Sequence, residues 1–124
     1  MASELKIEAT EDTPGVILDA GSGVFNISGR SLPEDAFWFY NPILEWLTDY
    51  IKEPLPITEF HFNLEYFNTA SAKQIFKISN LLCELSKTST VKVMWHYDEG
   101  DRDMFSSGGR FSKLCGMPFD LVKN

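Results

Sequence analysis

The chain has 124 residues, 44% of them apolar and 14% aromatic, with 18 acidic against 11 basic side chains and a formal net charge of −7. That hydrophobicity excludes a disordered chain, and the length suits one domain, residues 1–124, with a core of its own. The acidic balance, with no cluster of Lys or Arg, speaks against nucleic acid and anionic lipid as partners.

In chain order, Leu5–Glu8 alternates and suits a first short strand, and Asp12-Thr13-Pro14-Gly15 reads as a turn. Val16–Asp19 and Val24–Ser28 flank Ala20-Gly21-Ser22-Gly23, which predicts a hairpin. Gly29-Arg30-Ser31 is expected to break the second strand. Ser31-Leu32-Pro33-Glu34 then reads as a helix start, with a Ser cap, Pro in the first turn and Glu three residues on. Phe37, Tyr40, Leu44, Leu47 and Ile51 follow at helical spacing, and Pro42 is expected to bend the helix or split off a first turn. Glu53-Pro54-Leu55-Pro56 ends it.

The most informative stretch is Ile57–Lys73. Phe60, Phe62, Leu64 and Tyr66 alternate with Glu59, His61, Asn63 and Glu65, the pattern of a strand with one buried face. From Ser71 the apolar positions are Ile75, Ile78, Leu82 and Leu85, so a helix is expected from about Ala70 to about Lys87. Asn68-Thr69-Ala70-Ser71 is therefore a strand-to-helix turn rich in capping side chains. Hydroxyls there sit beside unpaired N–H groups and the positive end of the helix dipole, which suits both capping and a phosphorylatable switch. Val91, Val93, Trp95 and Tyr97 alternate as a further strand. Arg102–Cys115 is weakly helical, with Met104, Phe105, Phe111 and Leu114 as its apolar side and Gly108-Gly109 as a soft spot. Met117–Val122 reads as a last edge strand.

Strands that alternate predict a sheet covered by helices on one face only. The expected fold is thus a two-layer α/β domain, antiparallel at its start and built from parallel crossovers afterwards. Cys83 and Cys115 belong to no C-x-x-C pair and read as buried helical thiols of a reducing compartment. The polar, acidic start of the chain does not suit a signal peptide, and no apolar run approaches the length of a membrane helix. The expected location is the cytoplasm.

For chemistry, His61 and His96 lie on predicted polar strand faces near Glu65 and Asp98, a group that could bind a metal or do acid–base work if the strands are neighbours. The competing reading is a solvated sheet face. Gly21-Ser22-Gly23 and Ser107-Gly108-Gly109-Arg110 match no phosphate loop, Trp38, Trp46 and Trp95 suit core or interface, and Asp98–Asp103 lacks calcium-loop spacing. A binding or regulatory module, with no cofactor and no metal, is the better class.

The string LEYFNTASAK, followed by a helix, by VMWHYDEGDRDM and by a closing GMPF, resembles the SiaC family of bacterial regulatory phosphoproteins; so do SLPED and IKEP. The resemblance implies a fold like that of the STAS anti-sigma-factor antagonists, a mixed sheet with helices on one face. It also implies partner switching by a non-enzymatic protein. A Ser/Thr kinase phosphorylates the strand-to-helix turn, a PP2C-like phosphatase reverses this, and the unmodified form engages an effector, a diguanylate cyclase that controls biofilm formation. By position the modified residue is Thr69. Ala70 stands where the family commonly has Ser, and Ser71 remains the alternative acceptor. Asn68, Thr69, Ala70, Ser71 and Lys73 are the partner-binding residues this implies.

Overall fold

The computed structural model describes residues 3–124. In order the elements are β1 (Leu5–Ile7), β2 (Gly15–Asp19), β3 (Val24–Ser31), α1 (Ala36–Tyr50), β4 (Ile57–Phe67), α2 (Thr69–Ser86), β5 (Thr90–Tyr97), α3 (Arg102–Cys115) and β6 (Asp120–Lys123). The strands form one six-stranded sheet in sequence order. β1–β2 and β2–β3 are antiparallel, whereas β3–β4, β4–β5 and β5–β6 are parallel. Each parallel step is joined by one helix, the geometry a parallel pair requires.

The alternation in the strands decides which face the helices cover. Val16, Leu18, Phe25, Ile27, Phe60, Phe62, Leu64, Val93 and Trp95 are buried beneath them, together with Tyr40, Ile43, Leu47, Ile75, Ile78 and Leu82 from the helices. Each fully buried side chain of that size is worth about 1.5–3 kcal/mol of transfer free energy. Asn26, Ser28, Glu59, His61, Asn63 and His96 alternate with that set and look out from the opposite, uncovered face. The two-layer fold is as expected.

Several local expectations change. β3 does not break at Gly29 but runs to Ser31, whose side chain is fully buried. The helix start moves four residues on, to Asp35, whose carboxylate accepts from Trp38 N at 3.0 Å and caps α1. Ser31 cannot cap because its hydroxyl is already committed beneath the helices. α1 passes unbroken through Pro42, although the carbonyl of Trp38 thereby loses its helical N–H partner. The buried side of α1 is Ala36, Phe39, Tyr40, Ile43, Trp46, Leu47 and Tyr50, which turns Phe37 out to solvent.

Tyr66, expected on the buried face, is 51% exposed. Gly29 pairs with Leu64 and Arg30 with Tyr66, so Glu65 is skipped and β4 bulges there. The extra residue reverses the alternation and returns Phe67 to the core, against Trp95 and Phe111. In α3, Met104, Ser107, Gly108 and Phe111 face inward while Phe105 and Leu114 are exposed. Gly108 is a contact rather than a soft spot, since a Cβ there would collide with the Trp95 ring and Leu121. β6 begins only at Asp120, and it is an edge strand as anticipated. Both cysteines are free and half-buried; burial pushes the Cys115 thiol up from its ordinary value.

Candidate functional site

The chain passes from β4 into α2 through a single residue. Asn68 is extended, and its side-chain oxygen accepts from Ser71 N at 2.8 Å while its carbonyl accepts from Ala72 N. Asn68 N in turn donates to Ser31 O at 3.0 Å, tying the cap to the end of β3. Thr69 is thus the first helical residue. At 3.6 residues per turn, positions 69, 70 and 73 point away from the sheet and 71 points into it. Thr69, Ala70 and Lys73 are exposed, Asn68 is half-buried, and Ser71 is 0% exposed.

Beneath the turn lies a chain of three hydroxyls from three elements. Tyr40 Oη donates to Ser31 Oγ at 2.6 Å, Ser31 Oγ donates to Ser71 Oγ at 2.8 Å, and Ser71 Oγ closes on Ser31 O at 3.2 Å. Every hydroxyl donates once, so the buried polar cost is met. Desolvation pushes the Tyr40 phenol up to about 12, against the opposing hydrogen bonds of Ser31 and Ser71.

Above it lies an open groove of about 570 Å³. Ala36 and Phe37 of α1 form one wall and Thr69, Ala70, Lys73 and Gln74 of α2 the other, with Glu34 and Asp35 at the rim. Phe37 is 62% and Trp38 75% exposed, and Lys77 Nζ sits 5.7 Å from the Phe37 ring centre. Among the described residues Thr69 Oγ1 makes no hydrogen bond, and the buried Gln74 amide oxygen has no partner either. The turn therefore presents a free hydroxyl beside the exposed Phe37 ring. Of the residues expected to meet a partner, Thr69, Ala70 and Lys73 stand on this surface and Ser71 does not. Phe37 was not anticipated there; the signal was available in the inward run Phe39-Tyr40, Ile43, Trp46-Leu47, Tyr50, which leaves 37 on the outer side.

The histidines do come together, on the uncovered sheet face. His61 Nδ1 and His96 Nε2 are 2.8 Å apart, and Glu59 Oε2 lies 2.8 Å from His61 Nε2. The acidic partner is Glu59, because Glu65 occupies the bulge and bonds to neither ring. Asp98 joins indirectly, accepting from Asn124 Nδ2 while Asn124 Oδ1 lies 3.2 Å from His96 Nδ1. An open cavity of about 400 Å³ lies over Glu59, His61, Asn63 and His96. Among the described residues no three His, Cys, Asp or Glu side chains converge to hold a metal ion.

The family model for SiaC family regulatory phosphoproteins matches residues 7–124, which takes in both clusters and the whole sheet except its first two paired residues. The chain belongs to the SiaC family. An uncharacterized protein of Pseudomonas aeruginosa (strain UCBPP-PA14) is 28% identical over 120 residues, 96% of this chain and 95% of that protein. The crystal structure of apo-SiaC from Pseudomonas aeruginosa superposes with a TM-score of 0.87 at 28% identity, covering 97% of this chain and 98% of that one. A second relevant structure is SiaC of the same organism in complex with the diguanylate cyclase SiaD, of which it is the activator. It has a TM-score of 0.89 at 26% identity over 97% of this chain and 99% of that chain. Among the described residues no helix is long and apolar enough to cross a membrane.

Proposed function

We propose that this SiaC-family chain is a non-enzymatic partner switch whose state is set by phosphorylation of Thr69. A Ser/Thr kinase adds the phosphate, a PP2C-like phosphatase removes it, and the unmodified protein binds and activates an effector of the diguanylate cyclase class in the cytoplasm. One observation carries this reading: the only exposed hydroxyl of the α2 turn, Thr69, shares a groove with the exposed Phe37, while Ser71 is fully buried. The SiaC–SiaD complex supports the class of effector.

The switch is electrostatic. A phosphate brings about −1.5 to −2 charges and three acceptor oxygens. The folded protein tolerates it, because the first turn of α2 offers N–H groups, the positive dipole end and the exposed Lys73. An interface closed over Phe37 does not, because the same charge is then desolvated beside Glu34 and Asp35 of the groove rim. Phe37 supplies anchoring area, and the phosphate decides whether that area can be covered.

The test titrates unmodified and Thr69-phosphorylated protein against the cyclase at fixed salt, with Phe37→Ala as a third sample. The expected result is weak binding by the phosphorylated form. Phe37→Ala should raise Kd by roughly 30-fold, the scale of an aromatic anchor worth about 2 kcal/mol. Equal dissociation constants for the two phosphorylation states would overturn the proposal.

A further inference from the structure

We infer that Cys83 and Cys115 form an oxidation-sensitive thiol pair, which hydroperoxides close into a reversible disulfide stapling the C-terminal end of α2 to that of α3. The inference is independent of the Thr69 switch, which lies at the other end of α2. The two cysteines are 32 positions apart in the chain, yet the fold makes them neighbours. Cys83 Sγ donates to the carbonyl oxygen of Cys115 at 3.0 Å. Cys115 Sγ makes only long contacts, 3.6 Å to Ser112 O and 4.0 Å to Met117 O. Both residues are free and half-buried, so neither is sealed from a small oxidant.

The backbone that carries the pair is braced on both sides. Cys115 is the last residue of α3, and Gly116 ends the helix in the left-handed conformation, its N–H donating to Ser112 O at 3.0 Å. Ser112 Oγ donates to Met117 O at 2.7 Å and accepts from Phe119 N at 3.1 Å, which fixes the chain leaving α3. In the last turn of α2, Ser86 Oγ donates to Cys83 O at 2.6 Å. Bond lengths then place Cys83 Sγ within about 5.5 Å of the Cys115 Cα. Disulfides span Cα atoms about 4.4–6.8 Å apart, so side-chain rotation at the two cysteines is the movement the bond asks for. The sulfurs also sense each other: burial is the main cause that pushes the Cys115 thiol up, and the charge of Cys83 adds to it.

The chemistry balances with hydrogen peroxide as the oxidant. The Cys83 thiolate attacks one peroxide oxygen; an S–O bond forms, the O–O bond breaks, and the hydroxide that leaves takes up the thiol proton as water. The Cys115 thiolate then attacks the sulfenic sulfur of Cys83. The S–S bond forms, the S–O bond breaks, and the second hydroxide leaves as water with the Cys115 proton. The two thiols lose two electrons and the peroxide gains them. The order follows from the setting. Burial keeps the Cys115 thiol protonated, which slows its attack on free peroxide but matters less once a sulfenic sulfur lies beside it. In a reducing compartment such a bond is transient and reports oxidant, because cellular thiols reopen it.

The experiment treats reduced, dilute, tag-free protein with a slight excess of hydrogen peroxide at neutral pH, alkylates whatever thiol remains and weighs the intact chain. The mass should fall by about 2 Da with neither cysteine alkylated, the loss of two hydrogens. Dithiothreitol should restore two alkylatable thiols, and non-reducing digestion should give one linked peptide holding Cys83 and Cys115. Cys83→Ser and Cys115→Ser should each lose the internal link and gain oxygen adducts instead. The oxidised protein should unfold at a higher urea concentration than the reduced one, because the bond restricts the unfolded chain. The mass of the unsubstituted protein decides the matter even if a variant folds poorly. Thiols that stay alkylatable, oxygen adducts or dimers without the internal link, or a linked form that unfolds at lower urea, overturn the inference.

Discussion

Thr69 and Ser71 are hydroxyl residues two positions apart in one turn, and they live in opposite worlds. Thr69 stands exposed with a hydroxyl that bonds to nothing among the described residues. Ser71 is fully buried, the meeting point of β3, α1 and α2 through Ser31 and Tyr40. Two residues of helix rotate a side chain by roughly 200° about the axis, so one turn supplies both a free acceptor for modification and the lock that holds the turn in place. A rigid floor lets a charge added at the rim be read by a partner instead of being absorbed by local unfolding.

The largest expected effect breaks the lower of the two. Ser71→Asp places a carboxylate where no cation is available, and losses of about 3–5 kcal/mol follow from an unpaired buried charge. Thr69→Asp should leave stability almost unchanged. Urea denaturation of the pair is the measurement. Equal midpoints would mean that the inward and outward sides of the turn are reversed.

A smaller effect sharpens the role of Tyr40. Tyr40→Phe removes one donor from the buried chain and should cost about 1 kcal/mol near neutral pH, since Ser31 still donates to Ser71. The pH dependence is more telling. With the folded phenol raised from 10 to about 12, its contribution is complete below pH 10. It is then lost as pH climbs through 12, by roughly 2–3 kcal/mol. Wild-type protein should therefore weaken in that window more than Tyr40→Phe does. Ultraviolet titration should show a late tyrosine ionisation that Tyr40→Phe removes. If Tyr40→Phe leaves the late part of the titration unchanged, the hydroxyl chain is open to water.

Much of this was legible in the sequence, for identifiable reasons. Strict alternation in Phe60–Leu64 gave the buried face, and Asn68 gave the start of α2 to within a residue. The failures share one cause: a local rule overridden by a neighbour brought in by the fold. Ser31 looks like a helix cap until Tyr40 and Ser71 claim its hydroxyl, whereupon Asp35 caps instead. Tyr66 follows the alternation until the bulge at Glu65 reverses it. Phe37 fits a helical stripe, but the neighbouring stripe through Phe39, Tyr40 and Ile43 is the one that meets the sheet. Glu59, the true partner of His61, sits two residues before it on the same face; Glu65 shared that face on paper and lost it to the bulge.

The smallest expected effect on the fold is also the one on which the proposed switch depends. Thr69→Ala removes a hydroxyl without a partner and leaves the Asn68 cap in place, so stability should move by no more than about 0.5 kcal/mol. Thr69→Asp gains from the helix dipole, about 0.3–1 kcal/mol at an exposed first turn, and gives some of it back to Glu34 and Asp35 across the groove. Phosphothreonine should behave similarly, with the exposed Lys73 one turn on as a nearby cation. All three forms should therefore unfold at nearly the same urea concentration while differing widely in affinity for the cyclase. Thr69→Ala should bind as the unmodified protein does and resist the kinase; Thr69→Asp should bind less well, yet better than the phosphorylated form, because one carboxylate matches neither the charge nor the oxygen count of a phosphate. If phosphorylation lowers stability by as much as it lowers affinity, the signal is local unfolding of the turn, and the rigid floor of Ser31, Tyr40 and Ser71 is not what makes the switch readable.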